Sequence, residues 1–247
     1  GAQLSVLAEA LGMRVVFYDI DEKLALGNAH RCDTLEELLE QSNAVTLHVD
    51  GRKSNIGFFG EDQFAAMKQD AIFINCSRGF VADLDALKRH LDSGHLSGAA
   101  VDVWPVEPKK TGDPFITPLA DMDNMVLTPH IGGSTLEAQE SIGHFVTQRL
   151  EDYWTRGATS LSVNFPQLAL GDCAGAARII HLHANLPGVL ADMNNVLGDA
   201  NINISAQSLG TQGSLGYVVT DVSQVPDDAT MDAIAAIEGT IRTRVIR

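Results

Sequence analysis

The chain has 247 residues, 45% hydrophobic and 20% charged, which is enough for one large or two ordinary globular domains with proper cores. Lys and Arg number 17 against 32 Asp and Glu, a formal charge of -15, and the basic residues gather no further than pairs such as Arg52–Lys53, Lys88–Arg89 and Lys109–Lys110. No nucleic-acid partner and no acidic membrane surface is expected of such a chain; no stretch nears the roughly 20 apolar residues of a membrane span, and no secretory signal is read. Three scattered cysteines, Cys32, Cys76 and Cys173, form neither a disulfide framework nor a metal spacing, so no metal is expected and a reducing cytoplasm is the expected home.

In chain order, Leu4, Leu7, Ala8 and Leu11 recur at helical spacing and predict a first helix with one apolar face, stopped by Gly12 as a cap glycine. Arg14–Tyr18 reads as a buried strand ending at Asp19. Ala44–Val49, Ala71–Asn75, Gly98–Val103 and Met125–Thr128 read as four more strands, with helices near Thr34–Glu40, Glu61–Met67 and Asp83–Ser93 between them. Thr34 and Glu37 form a capping box. Strands alternating with helices predict a doubly wound parallel sheet of Rossmann type. A long helix is expected from Ser134, boxed by Glu137, to about Trp154. Gly157 to Gly175 has no period and reads as a linker around a short strand, Leu161–Phe165. The rest gives the order βαββαβ, a small ferredoxin-like α+β unit: strands Ile179–His183, Ile202–Leu209, Gly216–Val222 and Thr240–Ile246, helices Gly188–Leu197 and Ala229–Ile237, and a hairpin connection from Gly210 to Gly216. The expected domains are 1–133, a dinucleotide-binding domain; 134–175, a crossing helix and linker; and 176–247, a small terminal domain.

Four sites carry the chemistry. A helix, a strand and an acid at the strand's carboxyl end make the second half of a dinucleotide-binding unit. A lone Asp19 would be a solvated loop acid; in this context its carboxylate accepts from the adenosine ribose hydroxyls. Asp21 and Glu22 add charge that repels a 2′-phosphate, and no arginine follows at once, so NAD is expected over NADP. In NCSRGFVAD, Asn75 to Asp83, Arg78 is either a surface arginine at a strand end or a guanidinium that grips a substrate carboxylate through two hydrogen bonds. AAVDVWPVEP, Ala99 to Pro108, and LTPHIGGST, Leu127 to Thr135, offer Glu107 and His130. Singly, these are a rigid loop acid and a turn histidine. Together they are a base and the carboxylate that orients it, on loops at one sheet edge, with Gly132 and Gly133 leaving room for a nicotinamide ring.

NCSRGFVAD, DVWPVEP and TPHIGGST resemble the three signatures of the D-isomer-specific 2-hydroxyacid dehydrogenases. VNFP, Val163 to Pro166, and the terminal block, which resembles an ACT domain, narrow the likeness to members of that family that sense an amino acid. The resemblance implies that Arg78 binds the substrate carboxylate, that His130 is the acid/base and that Glu107 supports it. Gly1, Asp19, Cys76, Ser77, Arg78, Asp102, His130, Ile131, Gly132 and Gly133 would lie along NAD.

The implied reaction is oxidation of the 2-hydroxyl of 3-phosphoglycerate at the start of serine synthesis. L-serine would be the effector, held by His183, Asn185 and Asn203 converging at one end of the small sheet, in a homo-oligomer (a tetramer by resemblance). Gly1 matches the third glycine of the family's G-x-G-x-x-G turn. A first strand, two glycines, a substrate domain and cations for a phosphorylated substrate are therefore expected to precede it, and the 247 residues alone to show no turnover. Two alternatives stand beside this reading: a reductase of 2-oxoglutarate or of hydroxypyruvate and glyoxylate, or a non-catalytic module binding NAD or an amino acid.

Overall fold

Gly12 lies at φ +84° in the computed structural model and closes helix α1 (Ala2–Ala10). Its N–H bonds Glu9 O and that of Met13 bonds Ala8 O, the paired closure that a left-handed glycine permits. The structure describes residues 1–110 and 112–247, which fall into two units, Gly1–Gly133 and Ser134–Arg247.

In the first unit, β1 (Val16–Phe17) pairs in parallel with β2 (His30–Arg31). β3 (Ala44–Leu47), β4 (Ala71–Asn75), β5 (Leu96–Val101) and β6 (Met125–Leu127) make a second parallel sheet in that order. The single sheet expected from the strand–helix alternation is therefore two, because the one ladder partner of β1 among the described residues is β2. α1 buries none of its residues, and Leu4, Leu7 and Leu11 stand exposed.

Around the larger sheet lie α2 (Leu35–Gln41), α3 (Glu61–Ala66) and α4 (Leu84–Asp92). Thr34 caps α2 as predicted, accepting from Glu37 N at 3.1 Å, but the Glu37 carboxylate reaches one residue further back and takes the N–H of Asp33 at 2.8 Å. The core is aromatic: Phe59, Phe64 and Phe73 are fully buried with ring centroids 4.8 to 5.0 Å apart. Phe64 packs edge-on against both other rings, an arrangement that contributes about 0.5–1.5 kcal/mol per pair beyond area burial. Since all four strands run the same way, the loops after Leu47, Asn75, Val101 and Leu127 open at one edge.

The second unit begins with α5 (Leu136–Arg156) and continues β7 (Ala177–Ala184), α6 (Val189–Asp199), β8 (Ile204–Gln212), β9 (Leu215–Val222), α7 (Asp228–Ala235) and β10 (Thr240–Ile246). Its antiparallel sheet runs β10-β7-β9-β8. Ala177, Ile179, Val218 and Val222 bury one face against Met193 and Leu197 of α6 and Ile234 of α7. Ile180, Tyr217 and Val219 bury the other against Phe165, Leu168 and Leu170.

Three local expectations are corrected. α5 is capped by Thr135, whose hydroxyl accepts from Ala138 N at 3.1 Å, not by Ser134. Leu161–Phe165 is no strand: Leu161 sits at φ +65°, and Thr159 bonds Pro166 and Leu168, folding the segment back on itself. The hairpin connection shrinks to Gly213–Ser214, since β8 runs on to Gln212 through Gly210.

The connector from Gly157 onward is fastened by one side chain. Arg178 is buried, and all five of its N–H groups are used: on both Asp221 oxygens and on the carbonyls of Arg156, Gly171 and Asp172. A buried guanidinium is stable only with this degree of pairing.

Candidate functional site

Asn75 ends β4 fully buried, and its side chain shapes the turn after the strand. Its Oδ1 accepts from Ser77 N at 3.0 Å and Ser77 Oγ at 2.9 Å, while its Nδ2 donates to Arg78 O at 3.2 Å. The resulting turn buries Ser77 and leaves Cys76 and Arg78 exposed. Gly79 is required there because a Cβ would stand 2.0 Å from the carbonyl carbon of Trp104. The Arg78 loop thus lies directly against the loop that follows β5.

That second loop carries two acids. Asp102 N bonds Asn75 O at 3.0 Å, and its carboxylate takes the Thr128 hydroxyl and, at 3.1 Å, His130 N. Trp104 Nε1 donates to Thr128 O at 3.1 Å. These bonds tie the loop after β6 to the loop after β5 and hold His130 at φ +53°, which only a well-determined surrounding sustains in a residue with a Cβ.

Glu107 Oε1 accepts from Trp104 N at 3.1 Å and lies 2.8 Å from His130 Nδ1. A carboxylate can only accept, so Nδ1 carries the hydrogen and Nε2 is the atom free to exchange a proton. Ile131 is exposed, and a Cβ on Gly132 or Gly133 would meet nothing within 4 Å, so space lies beside the imidazole. Desolvation, and then the charge of Asp102, push the Cys76 thiol up.

Asp19 stands in the loop after β1, half-buried, with its Oδ1 accepting from Asp21 N at 2.9 Å. Gly1 caps α1 beside His48. The sequence places no arginine next to these acids; the fold brings Arg31 of β2 to them. Arg31 Nη2 lies 3.4 Å from Asp19 O. Arg52 pairs with Asp50, and its guanidinium is held above its ordinary value by hydrogen bonding to Asp50, by the Asp50 charge and further by Asp21 and Asp19. No spacing rule in the sequence joins these residues.

In the second unit the three effector residues do not converge. His183 is buried, its Nδ1 on Ala184 O at 2.7 Å and its ring over Gly216, where a Cβ would collide with it. Asn185 Nδ2 donates to Gly213 O at 3.2 Å, at the same end. Asn203 precedes β8 at the opposite end, where Ile204, Val222 and Ala177 are in register. Six residues of strand, roughly 20 Å, separate it from His183.

Among the described residues no helix is long and apolar enough to cross a membrane, and no group of three His, Cys, Asp or Glu side chains could hold a metal ion.

Comparison with known proteins agrees with both units. Residues 1–132 match the D-isomer specific 2-hydroxyacid dehydrogenase, NAD binding domain family, and residues 179–242 the AHAS small subunit-like ACT domain. The D-3-phosphoglycerate dehydrogenases of Haemophilus influenzae and Escherichia coli K12 are 48% and 47% identical to the whole chain. The chain spans 60% of their length.

Among solved structures, the NAD-complexed D-isomer specific 2-hydroxyacid dehydrogenase of Lactobacillus delbrueckii ssp. bulgaricus aligns with TM-score 0.55 at 28% identity, over 66% of this chain and 53% of that one. The Aquifex aeolicus D-lactate dehydrogenase bound to NAD and lactic acid aligns with TM-score 0.53 at 29% identity, over 62% and 50%. With the family's NAD-binding domain matched over more than half its residues, and with the Arg78, Glu107 and His130 loops at one sheet edge, this chain belongs to the D-isomer specific 2-hydroxyacid dehydrogenases.

Proposed function

We propose that this chain is the cofactor-binding and effector-binding part of an NAD-dependent dehydrogenase that oxidises 3-phosphoglycerate to 3-phosphohydroxypyruvate in the cytoplasm, on the way to L-serine. The observation that carries the reading is the contact between Glu107 and His130 Nδ1, 2.8 Å long, at the edge where Arg78 also emerges. Arg78 holds the substrate carboxylate, His130 Nε2 takes the C2 hydroxyl proton, and the C2 hydride passes to the nicotinamide. Glu107 keeps the imidazole in the tautomer that can do so and balances its charge once it is protonated. Asp19 accepts from the adenosine ribose, and Gly1, Cys76, Ser77, Asp102, Ile131, Gly132 and Gly133 border the rest of the cofactor. The identity to D-3-phosphoglycerate dehydrogenases over the whole chain favours the phosphorylated substrate.

L-serine is the proposed effector of the second unit, and its site is shared between two copies of the chain. β8 is an edge strand. Pairing it with a second β8 about Ser208 sets Asn203 of one copy beside Gly213 of the other, next to Asn185 and His183. The test is a comparison of NADH-dependent reduction of 3-phosphohydroxypyruvate, 2-oxoglutarate, hydroxypyruvate and glyoxylate by a protein of the relatives' full length that contains this chain. 3-Phosphohydroxypyruvate is expected to give the highest kcat/KM, and millimolar L-serine to slow it. A higher value for 2-oxoglutarate or glyoxylate would replace the substrate assignment.

A further inference from the structure

β2 brings a cation to the loop proposed to hold the adenosine ribose. Arg31 is the register partner of Phe17, so the two side chains share one face of the β1–β2 ladder. Two residues past Phe17 the chain reaches Asp19, and the arginine follows it there: Nη2 lies 3.4 Å from Asp19 O. The Asp19 carboxylate is engaged within its own loop, where Oδ1 accepts from Asp21 N at 2.9 Å.

The guanidinium is poorly satisfied where it stands. Its Nε is withdrawn from solvent and has no hydrogen-bond partner. Among the described residues no carboxylate pairs with it, whereas Lys23 is paired with Asp21, Arg52 with Asp50, and Arg14 bonds Gln41. A chain with 32 acidic against 17 basic residues has carboxylates to spare, yet Arg31 is left without one. A donor taken out of water without an acceptor is a cost, and an arginine with one long bond to a carbonyl gives it up readily to an anion that offers two.

We propose that Arg31 is a specificity-determining residue for the cofactor, acting against the acids around it. Asp19, Asp21 and Glu22 repel a phosphate on the ribose 2′-hydroxyl; Arg31 attracts it, through the paired N–H groups that suit a phosphate as they suit a carboxylate. NAD remains the preferred cofactor, and Arg31 sets how large that preference is. The inference rests on the reading of Asp19 as the ribose-binding acid.

The test is calorimetric titration of a protein of the relatives' full length that contains this chain, with 5′-ADP and with 2′,5′-ADP. Arg31→Gln is expected to lower the affinity for 2′,5′-ADP relative to 5′-ADP by roughly threefold to fivefold, the range that an exposed ion pair commands. Asp19→Asn should raise the same ratio, and adding Arg31→Gln to it should take most of the gain away. A loss shared equally by the two nucleotides would show that Arg31 only supports the loop; that result, or an unchanged ratio, overturns the proposal. Circular dichroism shows whether each variant is folded, and Arg31→Met, which keeps the length without the charge, is the second variant. If Asp19→Ala leaves 5′-ADP binding as it was, the ribose-acid reading falls and the inference with it.

Discussion

Glu107 Oε1 lies 2.8 Å from His130 Nδ1 and also receives the main-chain N–H of Trp104 at 3.1 Å, so the carboxylate that orients the imidazole is itself held by its own loop. Orientation by a fixed acceptor gives the ring one tautomer and one angle. In the full-length protein, His130→Ala is expected to lower kcat by roughly 10²–10⁴, the usual contribution of a general acid/base. Glu107→Gln should lower kcat by less and leave KM nearly unchanged, because the amide keeps a contact but no longer balances the imidazolium. Steady-state kinetics decide it, and near-normal turnover in His130→Ala would refute the mechanism.

Gly79 and Trp104 make a second prediction, on stability. Since the added methyl of Gly79→Ala would meet rigid backbone at 2.0 Å, the Arg78 loop has to move away from the Glu107 loop. Overpacking of this kind costs about 1–3 kcal/mol, read from the urea midpoint. Gly132→Ala, whose methyl meets nothing within 4 Å, is the control and should leave the midpoint in place.

His181 sets a pH dependence in the second unit. Its imidazole is fully buried, with Nε2 2.8 Å from Thr240 Oγ1, and burial followed by the neighbouring His183 lowers its pKa to about 4. In the unfolded chain it titrates near 6.5. Between those values the unfolded state binds the proton and the folded state does not, so stability is full above about pH 6.5 and falls as the pH drops towards 4. The loss is at most about 3 kcal/mol across that window. Hydrogen exchange of the β7 amides at several pH values should show it, and His181→Gln should flatten it.

Asp221 acts lower on the scale. Burial pushes its carboxyl up, but the hydrogen bonds from Arg178 and Ala174 N and the guanidinium charge outweigh that and hold it below the usual carboxylate range. A depressed carboxylate contributes stability above its unfolded value, about 3.9, and loses it as the pH falls through the folded value. Asp221→Asn should remove this acid limb. It should also cost about 3–5 kcal/mol, since it leaves Arg178 buried without its partner charge. Exchange protection of β7 and β9 measures both effects.

Much of this molecule was legible in its sequence because the signals are local. Apolar runs four to eight residues long, helical spacing and glycine stops identify strands and helices from neighbours in the chain, and the motifs around Arg78, Glu107 and His130 each follow a strand directly. Parallel strands place their following loops at one edge, so the alternation of strand and helix already assigns these three residues to the same side. The errors were also local in kind: at Leu161–Phe165 composition suggested a strand, but the Thr159 side chain bonds across the segment and closes it as a loop.

What only the tertiary structure decided is which distant residues meet. Strand order and register placed Asn203 at the far end of the sheet from His183, although both flank strands of the same small unit. The Arg31 guanidinium at the main chain of Asp19, and the need for a glycine at position 79 where the Trp104 backbone crosses, depend on contacts between separate segments. Periodicity reports the face a residue occupies on its own element; the partner it finds is fixed by ladder pairing and close packing between elements, which no spacing along the chain encodes.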